Sequence, residues 1–171
     1  MVGVCFCYTR KLFFMNQWDY VLTSFPVDEI FVLHDGKVPE NELKITRYRP
    51  KKVVKCDAGV CKKATMIRTA EELPEDSALV VAAPKAGRNF QGTDCLHSFQ
   101  HPKNAIYMFG LDNANLSEVE LGKRVPDRLV YIEAKTHDLF AHVAAALILY
   151  DRIRKQMSKE FQRNRRALAV G

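Results

Sequence analysis

Residues 105–154, AIYMFGLDNANLSEVELGKRVPDRLVYIEAKTHDLFAHVAAALILYDRIR, decide the reading of the fold. Ala105, Ile106, Tyr107, Met108 and Phe109 form a short apolar run stopped by Gly110, and Leu129, Val130, Tyr131 and Ile132 form a second. Runs of this length suit strands buried on both faces of a parallel sheet. The residues between them leave room for a turn and a short helix. After the second run, Thr136 or Asp138 can cap a long helix. Its expected apolar face is Leu139, Phe140, Val143, Leu147, Tyr150, Ile153 and Met157, spaced by threes and fours. Loops 110–117 and 133–138 then sit at the carboxyl ends of two strands that this reading makes adjacent. Open α/β sheets bind ligands at that edge.

The pattern extends outward. Residues 77–83 (SALVVAA) read as another buried strand, ended by Pro84. Residues 2–8 (VGVCFCY) read as the first strand. Residues 15–25 follow as an amphipathic helix with Trp18, Val21, Leu22 and Phe25 on one face. Pro26 stops that helix, and residues 27–33 (VDEIFVL) form the next strand. Between 34 and 69 the chain is punctuated by Asp35-Gly36, Pro39 and Pro50, and only 52–55 (KVVK) suggests a short strand. The expectation is an α/β domain over residues 1–157, a parallel sheet with helices on both faces, followed by a basic C-terminal tail at 158–171.

A chain of 171 residues with 47% hydrophobic composition suffices for one compact core. No apolar run reaches membrane-spanning length, and the first residues lack the basic start of a secretory signal. A cytoplasmic location with no membrane partner is therefore expected. Of the five cysteines, Cys5 and Cys7 alternate as on one strand face, and Cys56 and Cys61 lack a second pair to complete a zinc site. They read as reduced structural thiols, with no metal. His97 and His101 are four apart, a spacing a metal could use on a helix. Pro102 and the lack of a nearby acidic ligand favour a structural role.

The net charge of +6 is clustered. Lys44, Arg47, Arg49, Lys51, Lys52, Lys55, Lys62 and Lys63 form one group. Arg152, Arg154, Lys155, Lys159, Arg163, Arg165 and Arg166 form another. Clustered cations neutralise phosphates and release counterions, which points to a nucleic acid, with Lys51, Lys52, Arg163, Arg165 and Arg166 as candidate contacts. A solvated face, and a helix C-terminus whose dipole favours cations, account for the same charges.

Three segments resemble the C-terminal motifs of the SPOUT RNA methyltransferases, in the TrmH-like branch that methylates ribose 2′-hydroxyls. They are Phe109-Gly110-Leu111-Asp112-Asn113-Ala114-Asn115-Leu116-Ser117; Val130-Tyr131-Ile132; and residues 138–146 (DLFAHVAAA) with Tyr150-Asp151. The resemblance implies S-adenosylmethionine bound in the loops of a C-terminal trefoil knot, a homodimer, and tRNA or rRNA as substrate. It places cofactor contacts at Ala82, Ala83, Phe109, Gly110, Asp112, Ile132, Leu139 and Ala141. The chain departs from the family pattern where Asp112 replaces glutamate, Asn115 glycine, Asp138 serine and Phe140 asparagine. Asn16 matches the asparagine that begins the family's first helix. The arginine expected one to two turns later is absent, and Leu22 occupies its register. In the family that arginine engages the RNA phosphate and activates the ribose hydroxyl. Arg10 and Arg88 are the candidates to replace it, so the expected catalytic set is Arg10, Asn16 and Arg88.

The implied reaction sets its own demands. A ribose hydroxyl is a poor nucleophile at neutral pH, so methyl transfer needs in-line positioning and help in removing the proton. The sulfonium is already activated, and no metal is required. Two other readings compete: an RNA-binding scaffold that keeps the fold without the chemistry, and a flavodoxin-like small-molecule binder. The second lacks a phosphate loop, because Gly87, Arg88, Asn89 and Gly92 are not in G-x-x-x-x-G-K-[ST] spacing.

Overall fold

The computed structural model describes residues 1–8, 15–34, 64–83, 93–110, 121–134 and 139–168. Seven strands form its sheet: β1 (Val2–Tyr8), β2 (Glu29–His34), β3 (Ala64–Ile67), β4 (Ala78–Ala82), β5 (Thr93–Cys95), β6 (Ala105–Phe109) and β7 (Arg128–Tyr131). The order is β3-β2-β1-β6-β4-β7-β5, and every pairing between neighbours is parallel. Two α-helices are described, α1 (Met15–Ser24) and α2 (Ala141–Leu168). The short strand expected at 52–55 and the short helix expected before β7 fall in segments that lie wholly or mainly outside the described residues.

Alternation divides the sheet cleanly. Val4, Phe6, Val32, Val80, Tyr107, Phe109 and Val130 face one core, shared with Trp18 and Val21 of α1 and Ala144, Ala145, Ile148 and Leu149 of α2. Cys5, Cys7, Phe31, Leu33, Leu79, Val81, Ile106 and Met108 face the other, closed by Ala70 and Leu73. Successive strand residues point to opposite faces, so strands covered on both sides must be apolar throughout. β6 is buried at all five positions, as its unbroken apolar run requires. Trp18 seats α1 by stacking on Phe6 at 4.3 Å and meeting Phe109 edge-on at 5.8 Å. Gly3 has a packing reason to be glycine, since a Cβ there would come 2.9 Å from the Ile106 side chain.

Three expectations are corrected. First, β6 and β7 are not neighbours, because β4 lies between them and pairs with both. Apolar runs reveal that strands are buried but carry no label for their neighbours. Second, α2 begins at Ala141, and the Phe140 carbonyl accepts from the amides of Val143 and Ala144, so Phe140 rather than Thr136 or Asp138 immediately precedes the first turn. Third, the buried face of α2 is the opposite of the expected one. Ala144, Ala145, Ile148 and Leu149 are buried, whereas Phe140, Leu147, Tyr150 and Met157 are exposed. The small alanines let the helix approach the sheet, and the buried Asp151 and Arg152 continue the inward face where a hydropathy pattern expects solvent. The helix also runs on past residue 157 to Leu168.

Candidate functional site

The carboxyl edge of the sheet assembles the candidate site. β6, β4 and β7 are consecutive there, and adjacent strands lie about 4.8 Å apart, so their three ends fall within about 10 Å. β4 ends at Ala82, β6 at Phe109 and β7 at Tyr131, with Ala83, Gly110 and Ile132 as the residues that follow. The amide of Ala83 donates to the Val130 carbonyl at 2.8 Å, tying the end of β4 to that of β7. Ile132, Leu139 and Ala141 are partly buried against the core that α2 covers. Among the described residues, the edge is therefore lined by small and aliphatic residues and by backbone.

The expected site residues divide accordingly. Ala82, Ala83, Gly110 and Ile132 share the carboxyl edge, with Leu139 and Ala141 where α2 begins. Phe109 is present at that edge, but its ring is 1% exposed and packs against Trp18. Only its backbone can face a ligand. Asn16 lies in the first turn of α1. Arg163, Arg165 and Arg166 lie in the last turns of α2. Arg10, Arg88, Asp112, Lys51 and Lys52 lie outside the described residues. Leu22, in the register of the absent arginine, packs partly buried against the core.

A second constellation lies on the same face of the sheet, under the middle of α2. His101 Nδ1 is 2.7 Å from the Tyr107 hydroxyl, and its Nε2 is 3.0 Å from Asp151 Oδ2. Lys155 donates to the same Asp151 oxygen at 2.6 Å and to the carbonyls of Leu96 and Phe99. Arg154 takes the other carboxylate oxygen at 2.8 Å. Arg152 donates to the Pro102 and Lys103 carbonyls and to the Tyr107 hydroxyl. Burial pushes the Asp151 carboxyl up, but bonds from Lys155, Arg154 and His101 outweigh it and hold the group below the usual carboxylate range. Burial pushes the His101 imidazole down, and the charges of Lys155 and Arg152 add to that against the pull of Asp151. Burial raises the Tyr107 hydroxyl, with Arg152 opposing. His101 is thus engaged through both ring nitrogens, while His97 is exposed. The spacing of the two histidines gave no hint of this. The signal available was Asp151, an acid amid apolar helix residues.

No protein-family model matches the chain, and no curated protein matches it. Solved structures do. A probable methylase family protein from Haemophilus influenzae Rd KW20 matches 98% of this chain at 13% identity with a TM-score of 0.67. The SpoU methyltransferase AviRb from Streptomyces viridochromogenes matches 93% at 19% identity with a TM-score of 0.60. An AdoMet-bound rRNA methyltransferase from Sinorhizobium meliloti matches 90% at 12% identity with a TM-score of 0.60. The chain spans 69%, 61% and 56% of those three chains respectively. At these identities the likeness establishes the fold alone, an α/β architecture shared with these proteins.

Proposed function

We propose that the chain is an S-adenosylmethionine-dependent methyltransferase that modifies a ribose 2′-hydroxyl of tRNA or rRNA, working as a homodimer. The observation that carries this reading is the meeting of the ends of β6, β4 and β7, in a fold shared with a SpoU methyltransferase and an AdoMet-bound rRNA methyltransferase. The edge suits the cofactor. Ala82, Ala83 and Gly110 leave backbone accessible, and Ile132 and Leu139 offer aliphatic surface for an adenine ring. Leu139 and Ala141 complete the wall, and the role given to Asp112 in this reading is to meet the cationic and amino groups of the ligand. When bound, S-adenosylmethionine supplies a methyl group already activated on sulfur.

The chain's own residues have the remaining tasks. Asn16, at the start of α1, has the task of orienting the ribose in this reading. Arg10 or Arg88 grips the adjoining phosphate and lowers the cost of deprotonating the hydroxyl. The basic clusters hold the RNA backbone without reading its sequence. The trefoil knot belongs to this proposal, as does the dimer. Supporting the dimer is a stripe on α2 in which Phe140, Leu147, Tyr150, Met157 and Phe161 are 40–65% exposed, at helical spacing. Apolar stripes of this extent usually meet a partner.

The test is transfer of labelled methyl from S-adenosylmethionine to an RNA pool from matching cells, with sedimentation at tens of micromolar for the dimer. Arg10→Ala or Arg88→Ala should slow transfer far more than it weakens RNA binding. Absence of transfer alongside salt-dependent RNA binding would establish the second reading, an RNA-binding scaffold. Leu22 favours that alternative: the family's arginine position is here given over to core packing.

A further inference from the structure

We propose that His101, Tyr107 and Asp151 form a proton-operated lock, which fixes α2 to the β5–β6 connection while the imidazole is neutral and releases it on protonation. This does not depend on the function proposed above. The lock joins three segments distant in sequence: residues 96–103, the centre of β6, and the stretch of α2 around Asp151. Its bonds leave one consistent arrangement of protons. The Asp151 carboxylate can only accept, so His101 Nε2 carries the hydrogen and donates to it at 3.0 Å. His101 Nδ1 is then the acceptor for the Tyr107 hydroxyl at 2.7 Å. The Tyr107 oxygen in turn accepts from Arg152 at 3.0 Å. Both ring nitrogens of His101 and the hydroxyl of Tyr107 thus have a role fixed by a neighbour.

Protonation disrupts that arrangement at one bond. A hydrogen on Nδ1 would face the hydrogen of the Tyr107 hydroxyl, and the tyrosine cannot turn away, because Arg152 donates to it from the other side. Tyr107 is 1% exposed, so water cannot replace the lost acceptor. The added charge also enters a crowded place. Facing the imidazole are Tyr107 from β6 and Asp151, Arg152 and Lys155 from α2, with Arg154 on the far carboxylate oxygen. One carboxylate already answers two cations, and a third cation finds no anion of its own. The Phe99 ring closes the remaining side, edge-on at 4.9 Å. The weak direction of the lock is also defined: Lys155 bonds the carbonyls of Leu96 and Phe99, so its displacement frees the connection before β6 rather than the sheet itself.

The sign follows from linkage. A histidine held neutral in the folded state keeps its full contribution above its unfolded value near 6.5. That contribution is lost as pH falls from about 6.5 toward the lower folded value. Asp151, held below its ordinary value, fails only in a separate and more acidic range. The two titrations are therefore distinguishable.

The experiment is hydrogen exchange by NMR on the whole chain between pH 7.5 and 5.0, corrected for intrinsic rates, with histidine nitrogens observed in the same samples. The amides of Leu96 and Phe99, which donate to the Tyr131 and Cys95 carbonyls, report the connection. In the wild type their protection should fall by up to about tenfold per pH unit below about 6.5, the slope of one linked proton. His101→Gln, whose amide can still accept from Tyr107 and donate to Asp151, should remove that slope. Protection independent of pH in the wild type, or an unchanged slope in the variant, overturns the proposal. Should the variant not fold, the wild-type histidine spectrum decides alone: a neutral Nε2–H tautomer titrating below 6.5 supports the lock, and titration at or above 6.5 refutes it.

Discussion

Two neighbouring residues of α2 give a sharp test of how that helix is seated. Ile148 is 0% exposed and Leu147 is 40% exposed, although a helical hydropathy pattern places Leu147 inward. Truncating Ile148 to alanine removes about three carbon groups, worth roughly 0.8 kcal/mol each in transfer. It also leaves a cavity between helix and sheet, bringing the total to about 3–4 kcal/mol. Leu147→Ala removes as much carbon, but a large part of it already meets water and no enclosed cavity forms. Its cost should be about 1–1.5 kcal/mol. In a domain of this size each kcal/mol corresponds to roughly 2–4 °C in Tm. Urea denaturation at sub-micromolar protein, where association is minimal, gives the two free energies directly, with equal m-values required. Equal losses, or a larger loss at Leu147, would refute the helix placement. Repeating the measurement at tens of micromolar separates the partner's share, because a stripe buried in a dimer makes the Leu147→Ala cost rise with concentration.

Gly110→Val should abolish the calorimetric signal for S-adenosylmethionine while leaving the circular dichroism spectrum unchanged, since it adds bulk at the carboxyl edge outside β6. No heat with the unsubstituted protein at millimolar cofactor would end the cofactor reading. Replacing Arg163, Arg165 and Arg166 together with alanine should weaken RNA binding across sequences and flatten the slope of log affinity against log salt, and an unchanged slope would remove this helix end from the interface. Arg124 donates to the carbonyls of Leu73, Pro74 and Ser77 at 2.7, 3.0 and 2.9 Å. Arg124→Ala should cost about 2–3 kcal/mol in urea denaturation, and Arg124→Lys should restore only part, because an ammonium cannot span the three acceptors. A loss below about 0.5 kcal/mol would show that these bonds merely replace water.

The sequence was most legible where one local rule acted alone. The run from Ala105 to Phe109 is bounded by Gly110 and became a strand of those limits. Trp18, Val21, Leu22 and Phe25 turned inward as their spacing requires. Strand order was hidden, because Val80, Tyr107 and Val130 are equally apolar and nothing in them states which lies beside which. The face of α2 is hidden from a hydropathy pattern because bulk and burial part company there: Tyr150 and Met157 are large and exposed, Ala144 and Ala145 small and buried. The polar network was invisible, for Asp151 meets His101 across fifty residues. At the candidate site the small residues of the edge were legible, while Arg10, Arg88, Asp112, Lys51 and Lys52 fall in segments the structure does not describe.

The place of β4 in the sheet has a consequence for the newborn chain. Strands β1, β2 and β3 can pair as soon as they leave the ribosome, since each finds a neighbour among the others. β4 cannot, because both of its neighbours, β6 and β7, are made later. Until β6 is complete, roughly 27 residues later at about 5–20 residues per second, the sequence ALVVA waits with both edges bare for a few seconds, and one edge stays bare until β7 is made. Such a segment is apolar, uncharged and rich in β-formers, the composition that recruits other chains through edge pairing. Chaperone dependence and inclusion-body formation should therefore respond to substitutions that delay β6 or β7 more than to equally destabilising ones in β2 or β3.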